Sequence, residues 1–210
     1  MTHKEILEKI ALWKIVPVIR IDDPDTVLPL ADALIAGGLP VAEITLRSSL
    51  GLAAIKKTVA ERPEMLVGAG TVLSPDDAAR AIEAGAAFIV TPGFNPRVVD
   101  YCVKNNVLIV PGVNSPSTVE EGLEFGLTVL KFFPAEPSGG IPMLKALKGP
   151  YGHVSFMPTG GINAKNAAAY LALDNVTAIG GSWMVTPELL SARDFSAITR
   201  LSREAVSAVA

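Results

Sequence analysis

Leu66 to Gly85 reads Leu-Val-Gly-Ala-Gly-Thr-Val-Leu-Ser-Pro-Asp-Asp-Ala-Ala-Arg-Ala-Ile-Glu-Ala-Gly. Its first five residues form a short apolar run bounded by glycine, which is typical of a buried strand. Ser74 is a good N-cap residue, Pro75 suits the first helical position, and Gly85 suits the end of a helix. The segment therefore predicts one strand followed by one helix.

Similar apolar runs recur along the whole chain, and they begin near Ile15, Val41, Leu66, Ala87, Val107, Thr128, Val154 and Thr177. Successive runs start 20 to 26 residues apart, which is the room that a strand, a helix and two short loops need. Further helices are predicted from Asp23-Pro24 to Gly37-Gly38 and from Ser115-Pro116 to Gly126. The pattern is a strand and helix unit repeated eight times.

Repeated units of this kind predict an α/β fold in which helices cover a parallel sheet. Eight units close into an eight-stranded (β/α)8 TIM barrel, and residues 1–210 are long enough for one such domain. Thr2 to Trp13 is predicted as a capping helix ahead of the first strand. The competing architecture is a doubly wound open sheet, which usually has a glycine-rich fingerprint after its first strand. Arg20-Ile-Asp-Asp stands there instead.

The composition excludes several classes of protein. Half of the residues are apolar and 19% are charged, so a large core is expected and a disordered chain is not. The net charge of −3 argues against nucleic acid as a partner. Cys102 is the single cysteine, and His3 and His153 match no familiar zinc spacing, so neither a disulfide framework nor a zinc site is expected. The first residues lack the apolar stretch of a signal peptide. No uncharged stretch reaches the apolar length of a membrane span. Together these observations predict a cytoplasmic protein with no membrane partner.

The second run carries polar side chains at alternate positions. Glu43, Thr45 and Arg47 share parity, so all three point into the barrel lumen if one of them does. Charged groups inside a strand are costly unless they are paired or functional. The run therefore predicts either one wall of an active site or a structural ion pair between Glu43 and Arg47.

The sixth run places Lys131 inside an apolar strand, within Thr128-Val-Leu-Lys-Phe-Phe-Pro-Ala-Glu. Apolar surroundings and a neighbouring cation lower the pKa of a lysine, because both oppose the ammonium form. The free amine can attack a carbonyl and form a Schiff base. The alternative is a lysine that reaches out of the barrel end or pairs with Glu43 for stability alone.

Two runs end in glycine-rich segments, Pro158-Thr159-Gly160-Gly161 and Gly180-Gly181-Ser182. The loops after strands seven and eight of such barrels often bind phosphate through backbone amides. Arg20, at the end of the first strand, would neighbour the eighth strand and add a cation. The alternative is that the glycines only permit tight turns and that Arg20 is a solvated loop residue.

Together these motifs resemble one family over nearly the full chain, the 2-keto-3-deoxy-6-phosphogluconate (KDPG) aldolases, which often also act on 4-hydroxy-2-oxoglutarate (KHG). The matching segments are Val16-Pro-Val-Ile19, Ala36-Gly-Gly38, Glu43-Ile-Thr-Leu-Arg47, Val67-Gly-Ala-Gly-Thr-Val72, Pro111-Gly112, Leu130-Lys-Phe-Phe-Pro-Ala-Glu136, Pro158-Thr-Gly-Gly-Ile162 and Ile179-Gly-Gly-Ser-Trp183.

The resemblance implies a class I aldolase that uses neither metal nor cofactor and is commonly a homotrimer. Lys131 looks like the Schiff-base lysine, and Glu43 looks like the general acid/base. The groups similar to those that bind the pyruvate carboxylate are Arg47, Thr71 and Thr159, with Pro92 and Phe133 at apolar positions around them. The residues that resemble the phosphate-binding set are Gly160, Gly161, Gly181 and Ser182, with Arg20 at a position that is arginine in only some members.

The expected substrates are therefore a small 2-keto acid and an aldehyde. The implied reaction cleaves KDPG to pyruvate and glyceraldehyde 3-phosphate, and KHG to pyruvate and glyoxylate. The first alternative is a sibling aldolase for the galactonate epimer or for an unphosphorylated keto acid. The second is a sugar-phosphate-binding barrel without catalysis, although such a protein has no need for both a strand lysine and a lumen glutamate.

Overall fold

The computed structural model describes residues 1–209. The strands are β1 (Ile15–Ile19), β2 (Val41–Thr45), β3 (Leu66–Gly70), β4 (Phe88–Val90), β5 (Leu108–Val110), β6 (Gly112–Val113), β7 (Val129–Phe132), β8 (Ser155–Pro158) and β9 (Ile179–Gly181). The helices are α1 (His3–Trp13), α2 (Val27–Ala36), α3 (Gly51–Glu61), α4 (Pro75–Glu83), α5 (Pro96–Lys104), α6 (Pro116–Glu124), α7 (Gly140–Lys148), α8 (Ala167–Leu171), α9 (Pro187–Ser191) and α10 (Phe195–Ser207), with a 3₁₀ turn at Pro24–Thr26.

The strands pair in parallel throughout the two sheets that they form. One sheet has six strands in the order β5-β4-β3-β2-β1-β9, and the other has three in the order β6-β7-β8. The prediction of an α/β fold with parallel strands is therefore confirmed, and the sheet curls so that β1 lies between β2 and the last strand. Two isolated parallel bridges connect the region of β8 to that of the last strand. Phe156 of β8 pairs with Val176 ahead of β9, and Thr159, directly after β8, pairs with Gly180 within β9.

The fifth run forms β5 as predicted, and a further short strand, β6, that was not predicted follows it. β5 ends at Val110 and β6 begins at Gly112, so only Pro111 separates them. Proline has no N–H to donate to a strand ladder. Its carbonyl still accepts a hydrogen bond from the N–H of Lys131 at 2.9 Å, which brings β7 beside this point of the chain.

The helix boundaries predicted from cap residues are confirmed. The Ser74 side chain accepts a hydrogen bond from the N–H of Asp77 at the start of α4, and Ser115 forms a capping box with Thr118 at the start of α6. Asp23 caps the 3₁₀ turn that leads into α2. These side chains satisfy N–H groups that have no partner inside the helix.

The first helix lies against the amino ends of the strands. Ile6 and Ile10 of α1 belong to one buried apolar cluster with Val16, Val41 and Leu66, which lie at or next to the first residues of β1, β2 and β3. This packing closes the amino end of the sheet and leaves the carboxyl ends of the strands for a cavity. Within residues 1–209, no helix is long and apolar enough to cross a membrane.

Candidate active site

A cavity of about 520 Å³ opens at the carboxyl ends of the strands. It brings together all but one of the residues that the sequence singled out for a site. The lining residues are Val18, Glu43, Thr45, Arg47, Thr71, Pro92, Lys131, Phe133, Thr159, Gly160, Gly161, Ile162, Gly180, Gly181, Ser182 and Trp183.

The buried charged groups of the cavity are Lys131 and Glu43, which are 4% and 1% exposed. Lys131 Nζ lies 3.2 Å from Glu43 Oε1 and 3.5 Å from Oε2. The two residues come from β7 and β2, and each is the third residue of its strand. The charged group beside the lysine is thus a carboxylate and not a second cation.

A glycine makes room for this pair. A Cβ atom on Gly70, the last residue of β3, would overlap the carboxylate of Glu43. Any other residue at this position would force the Glu43 side chain out of the cavity floor. On its other side the lysine faces an aromatic ring, since Nζ lies 5.1 Å from the centroid of Phe133. The amine therefore has one charged neighbour and one apolar wall.

Arg47 is held above this pair by the end of β2. Thr45 Oγ1 donates a hydrogen bond to the carbonyl of Ile19 at 2.9 Å and accepts one from Arg47 Nε at 3.2 Å. The guanidinium of Arg47 lies at the exposed mouth of the cavity. In the described part of the chain it forms no ion pair with Glu43, whose carboxylate pairs with Lys131. A guanidinium with free N–H groups can bind both oxygens of a carboxylate.

Two threonines contribute further polar atoms. Thr159 is 6% exposed, and its hydroxyl oxygen has no hydrogen-bond partner among the described residues. A buried hydroxyl without a partner is costly, so its presence in a cavity wall indicates a ligand group that satisfies it. Thr71 follows β3 with a φ of 55°, an uncommon value for a β-branched residue. Such backbone strain is found most often at functional sites.

The glycine-rich ends of β8 and β9 supply backbone amides. Across residues 1–209, the N–H groups of Gly161 and Ser182 donate no hydrogen bond within the protein. The Ser182 hydroxyl, in contrast, donates to the carbonyl of Val18 at 2.7 Å. Both residues line the cavity, and backbone amides without an acceptor in a cavity wall suit an anion.

Arg20 is the predicted site residue that lies outside this cavity. It lines a neighbouring cavity of about 430 Å³, which shares Val18, Arg47 and Ser182 with the first. Arg20 Nε donates to Asp22 Oδ1 at 2.9 Å, and both side chains are more than half exposed. Its proposed contact with a phosphate stays a prediction.

The sequence analysis missed four lining residues, Val18, Ile162, Gly180 and Trp183. All four stand in the segments that carry the family resemblance, and Ile162, Gly180 and Trp183 lie directly next to residues that were chosen. Trp183 is the informative case, because a Cβ atom on Gly181 would overlap its indole ring. A tryptophan directly after Gly-Gly-Ser was the signal, since the glycine leaves space for a large side chain.

In the part of the chain that the structure describes, no three His, Cys, Asp or Glu side chains cluster closely enough to hold a metal ion.

The sequence profile of the family described as KDPG and KHG aldolase matches residues 6–201. The chain is 48% identical to the 2-dehydro-3-deoxy-phosphogluconate aldolase of Haemophilus influenzae over 208 residues, which cover 99% of this chain and 98% of the relative. It is 44% identical to the KHG/KDPG aldolase of Escherichia coli K12 over 192 residues, which cover 91% of this chain and 90% of that relative.

A solved structure shows the same architecture. The KDPG aldolase of Legionella pneumophila, with pyruvate captured as a covalent carbinolamine intermediate, matches this chain with a TM-score of 0.92 and 41% identity. The match covers 97% of both chains. Sequence and fold thus agree over almost the whole length of this chain.

Proposed function

Because the chain belongs to the family of KDPG and KHG aldolases, we propose that it is a class I aldolase that cleaves KDPG to pyruvate and glyceraldehyde 3-phosphate. The reaction runs through a Schiff base on Lys131. The observation that carries the proposal is the buried contact of 3.2 Å between Lys131 Nζ and the Glu43 carboxylate in a cavity of substrate size. A carboxylate at this distance can take the proton that the lysine must lose before it attacks a carbonyl.

The cleavage of the bond between carbons 3 and 4 needs an electron sink at carbon 2. The Lys131 amine attacks the carbonyl at carbon 2 to give a carbinolamine. Glu43 passes the proton that it took from the lysine to the departing hydroxyl, so water leaves, a protonated imine forms and Glu43 is again a carboxylate. Glu43 takes the proton of the hydroxyl on carbon 4, the imine accepts the electron pair of the breaking bond, and the aldehyde leaves. Glu43, directly or through a water, returns a proton to carbon 3 of the enamine. Hydrolysis of the imine then frees pyruvate and the lysine.

The pyruvate end of the substrate fits the wall formed by Arg47, Thr71 and Thr159. The guanidinium offers a pair of donors to the carboxylate, and the partnerless hydroxyl of Thr159 supplies another. Pro92 and Phe133 form the apolar sides of this subsite.

The phosphate end fits the glycine turns. The residues assigned to it are Gly160, Gly161, Gly181 and Ser182, with Arg20 as a further cation from the adjoining cavity. The free N–H groups of Gly161 and Ser182 support this assignment, because backbone amides bind phosphate without the cost of burying a charged side chain.

We extend the proposal to KHG, which the enzyme would cleave to pyruvate and glyoxylate. The name of the Escherichia coli relative, KHG/KDPG aldolase, supports this second substrate. Both substrates share the keto acid end that faces Lys131, and only KDPG carries a phosphate. Cleavage of KHG therefore tests the keto acid subsite alone.

The finer architecture is also part of the proposal. We infer one domain over residues 1–210 that closes as an eight-stranded barrel, with β5 and β6 as one interrupted strand. The pairing of β1 with β9 and the two bridges beyond β8 support closure, whereas a doubly wound sheet would leave the last strand at an edge. The homotrimer and the cytoplasmic location stay predictions, and the mass in solution compared with 22.0 kDa for one chain tests the first.

The experiment that tests the function is pyruvate release from KDPG, from its galactonate epimer and from KHG, each with and without a chelator. We expect KDPG to be cleaved with a higher kcat/KM than the epimer, and chelation to have no effect. Faster cleavage of the epimer would identify the sibling aldolase. Binding of KDPG without pyruvate release would identify a binding protein, and loss of activity on chelation would contradict the class I mechanism.

A further inference from the structure

The loop after β7 contains a glutamate that the reaction steps above do not use. Glu136 lies outside the cavity lining and accepts a hydrogen bond from the hydroxyl of Tyr170. Tyr170 is fully buried on α8, the helix that follows the turn after β8. Burial and the hydrogen bond to Glu136 raise the pKa of the Tyr170 hydroxyl, so it stays a donor at neutral pH. The contact joins the loop after β7 to the helix after β8.

Glu136 also contacts the glycine turn that lies between these elements. Its N–H donates to the carbonyl of Gly160 at 3.0 Å. A Cβ atom on Gly161, whose φ is 83°, would lie only 2.6 Å from Glu136 Cγ and 2.7 Å from its Cβ. The glutamate side chain therefore packs directly on the Cα of Gly161. Any residue with a Cβ atom at position 161 would clash with it.

The hydrogen bond from the Glu136 N–H to the Gly160 carbonyl sets the direction of one amide, and the packed Glu136 side chain limits the movement of Gly161. In a trans peptide the carbonyl of one residue and the N–H of the next point in opposite directions. Because the Gly160 carbonyl points to Glu136, the N–H of Gly161 points away from it. The carbonyl of Gly161 is held as well, since Asn163 Nδ2 and Asn166 Nδ2 both donate to it at 3.1 Å.

We propose that Glu136 and Tyr170 are positioning residues that hold the Gly161 amide in place for the substrate phosphate. The inference rests on the proposed function, and it adds a specificity role for two residues that do not touch the substrate. Without the Tyr170 hydroxyl, the Glu136 side chain is free to turn, and the glycine turn loses the group packed against it.

Tyr170→Phe tests this, because the change removes only the hydroxyl. We expect the KM for KDPG to rise about 3- to 10-fold, the range for one lost hydrogen bond, with kcat changed by less than about twofold. The kcat/KM for KHG should not change, since KHG has no phosphate. Glu136→Ala should behave like Tyr170→Phe. Glu136→Gln, which keeps an acceptor oxygen for Tyr170, should stay close to the unmodified enzyme.

Tyr151→Phe is the matched control. The Tyr151 hydroxyl donates to Glu120 Oε1 at 2.8 Å, in a similar pair that does not line the cavity. This variant should keep the KM for both substrates. Equal losses on KDPG and KHG in Tyr170→Phe and Glu136→Ala, or an unchanged KM for KDPG, would overturn the positioning role. If the unmodified enzyme cleaves neither substrate, the proposed function fails instead.

Discussion

Glu43 lies where it can carry protons or simply neutralise a buried lysine. Its carboxylate is 1% exposed and has Lys131 Nζ at 3.2 Å. Removing one partner of a buried ion pair typically costs about 3–5 kcal/mol of stability, whichever role the pair has. Stability alone therefore does not separate the two roles, but turnover does.

Glu43→Gln should lower kcat by about 10²- to 10⁴-fold, because the amide cannot exchange protons with the substrate. Inhibition by pyruvate should persist, since Arg47, Thr71 and Thr159 are unchanged. Steady-state kinetics and urea unfolding of the same preparation measure both effects. A nearly unchanged kcat together with a large loss of stability would show that the pair is structural.

Ser182 makes a sharper test of the phosphate subsite than the glycines do. Its hydroxyl already donates to the Val18 carbonyl, so the group free for an anion is its backbone N–H. Ser182→Ala keeps that N–H and should raise the KM for KDPG by less than about threefold. Ser191→Ala, in the adjoining cavity, is the control. A rise of tenfold or more for Ser182→Ala alone would show that the hydroxyl itself binds phosphate.

The charged side chains that line the cavity, Glu43, Arg47 and Lys131, were within reach of sequence reasoning. Lys131 and Glu43 stand out because a charged residue inside an apolar strand is costly unless it has a task. Trp183 and Ile162 were missed, because an apolar side chain after a strand looks the same whether it packs in the core or lines a cavity. Only the loop conformation that the glycines permit decides between these outcomes.

Helix starts were predictable because one side chain decides each of them. Ser74 at the start of α4 lies in the extended region and accepts from the N–H of Asp77 at 3.1 Å. The break at Pro111 was not predicted, although the residue was visible. An apolar run does not show how far its hydrogen-bond ladder continues, and that depends on the neighbouring strand.

Ser74→Ala should lower the free energy of unfolding by about 1 kcal/mol, because the Asp77 N–H loses its acceptor. Chemical denaturation followed by circular dichroism measures the change. Ser207→Ala, at the exposed last residue of α10, is the control and should change stability by less than about 0.5 kcal/mol. Equal effects of the two substitutions would mean that the cap contributes nothing specific.

The whole molecule brings together groups that are far apart in the chain. Lys131 and Glu43 are 88 positions apart, and the parallel strand order places both at one end of the sheet. Sequence patterns predicted the parallel units and hence the carboxyl-end location. They could not give the contact distance or the second cavity, since these depend on how loops from different units pack. The ion pair between Arg20 and Asp22, which stand two residues apart, depends on the conformation of their own loop.

Borohydride reduction in the presence of pyruvate tests the Schiff base on Lys131 most directly. The enzyme should be inactivated, and mass spectrometry should find a pyruvate-derived mass on the peptide that holds Lys131. Lys131→Arg should be inactive and unlabelled, because a guanidinium stays protonated and forms no imine. Labelling of Lys145 or Lys148, or full activity after reduction with pyruvate, would contradict the account.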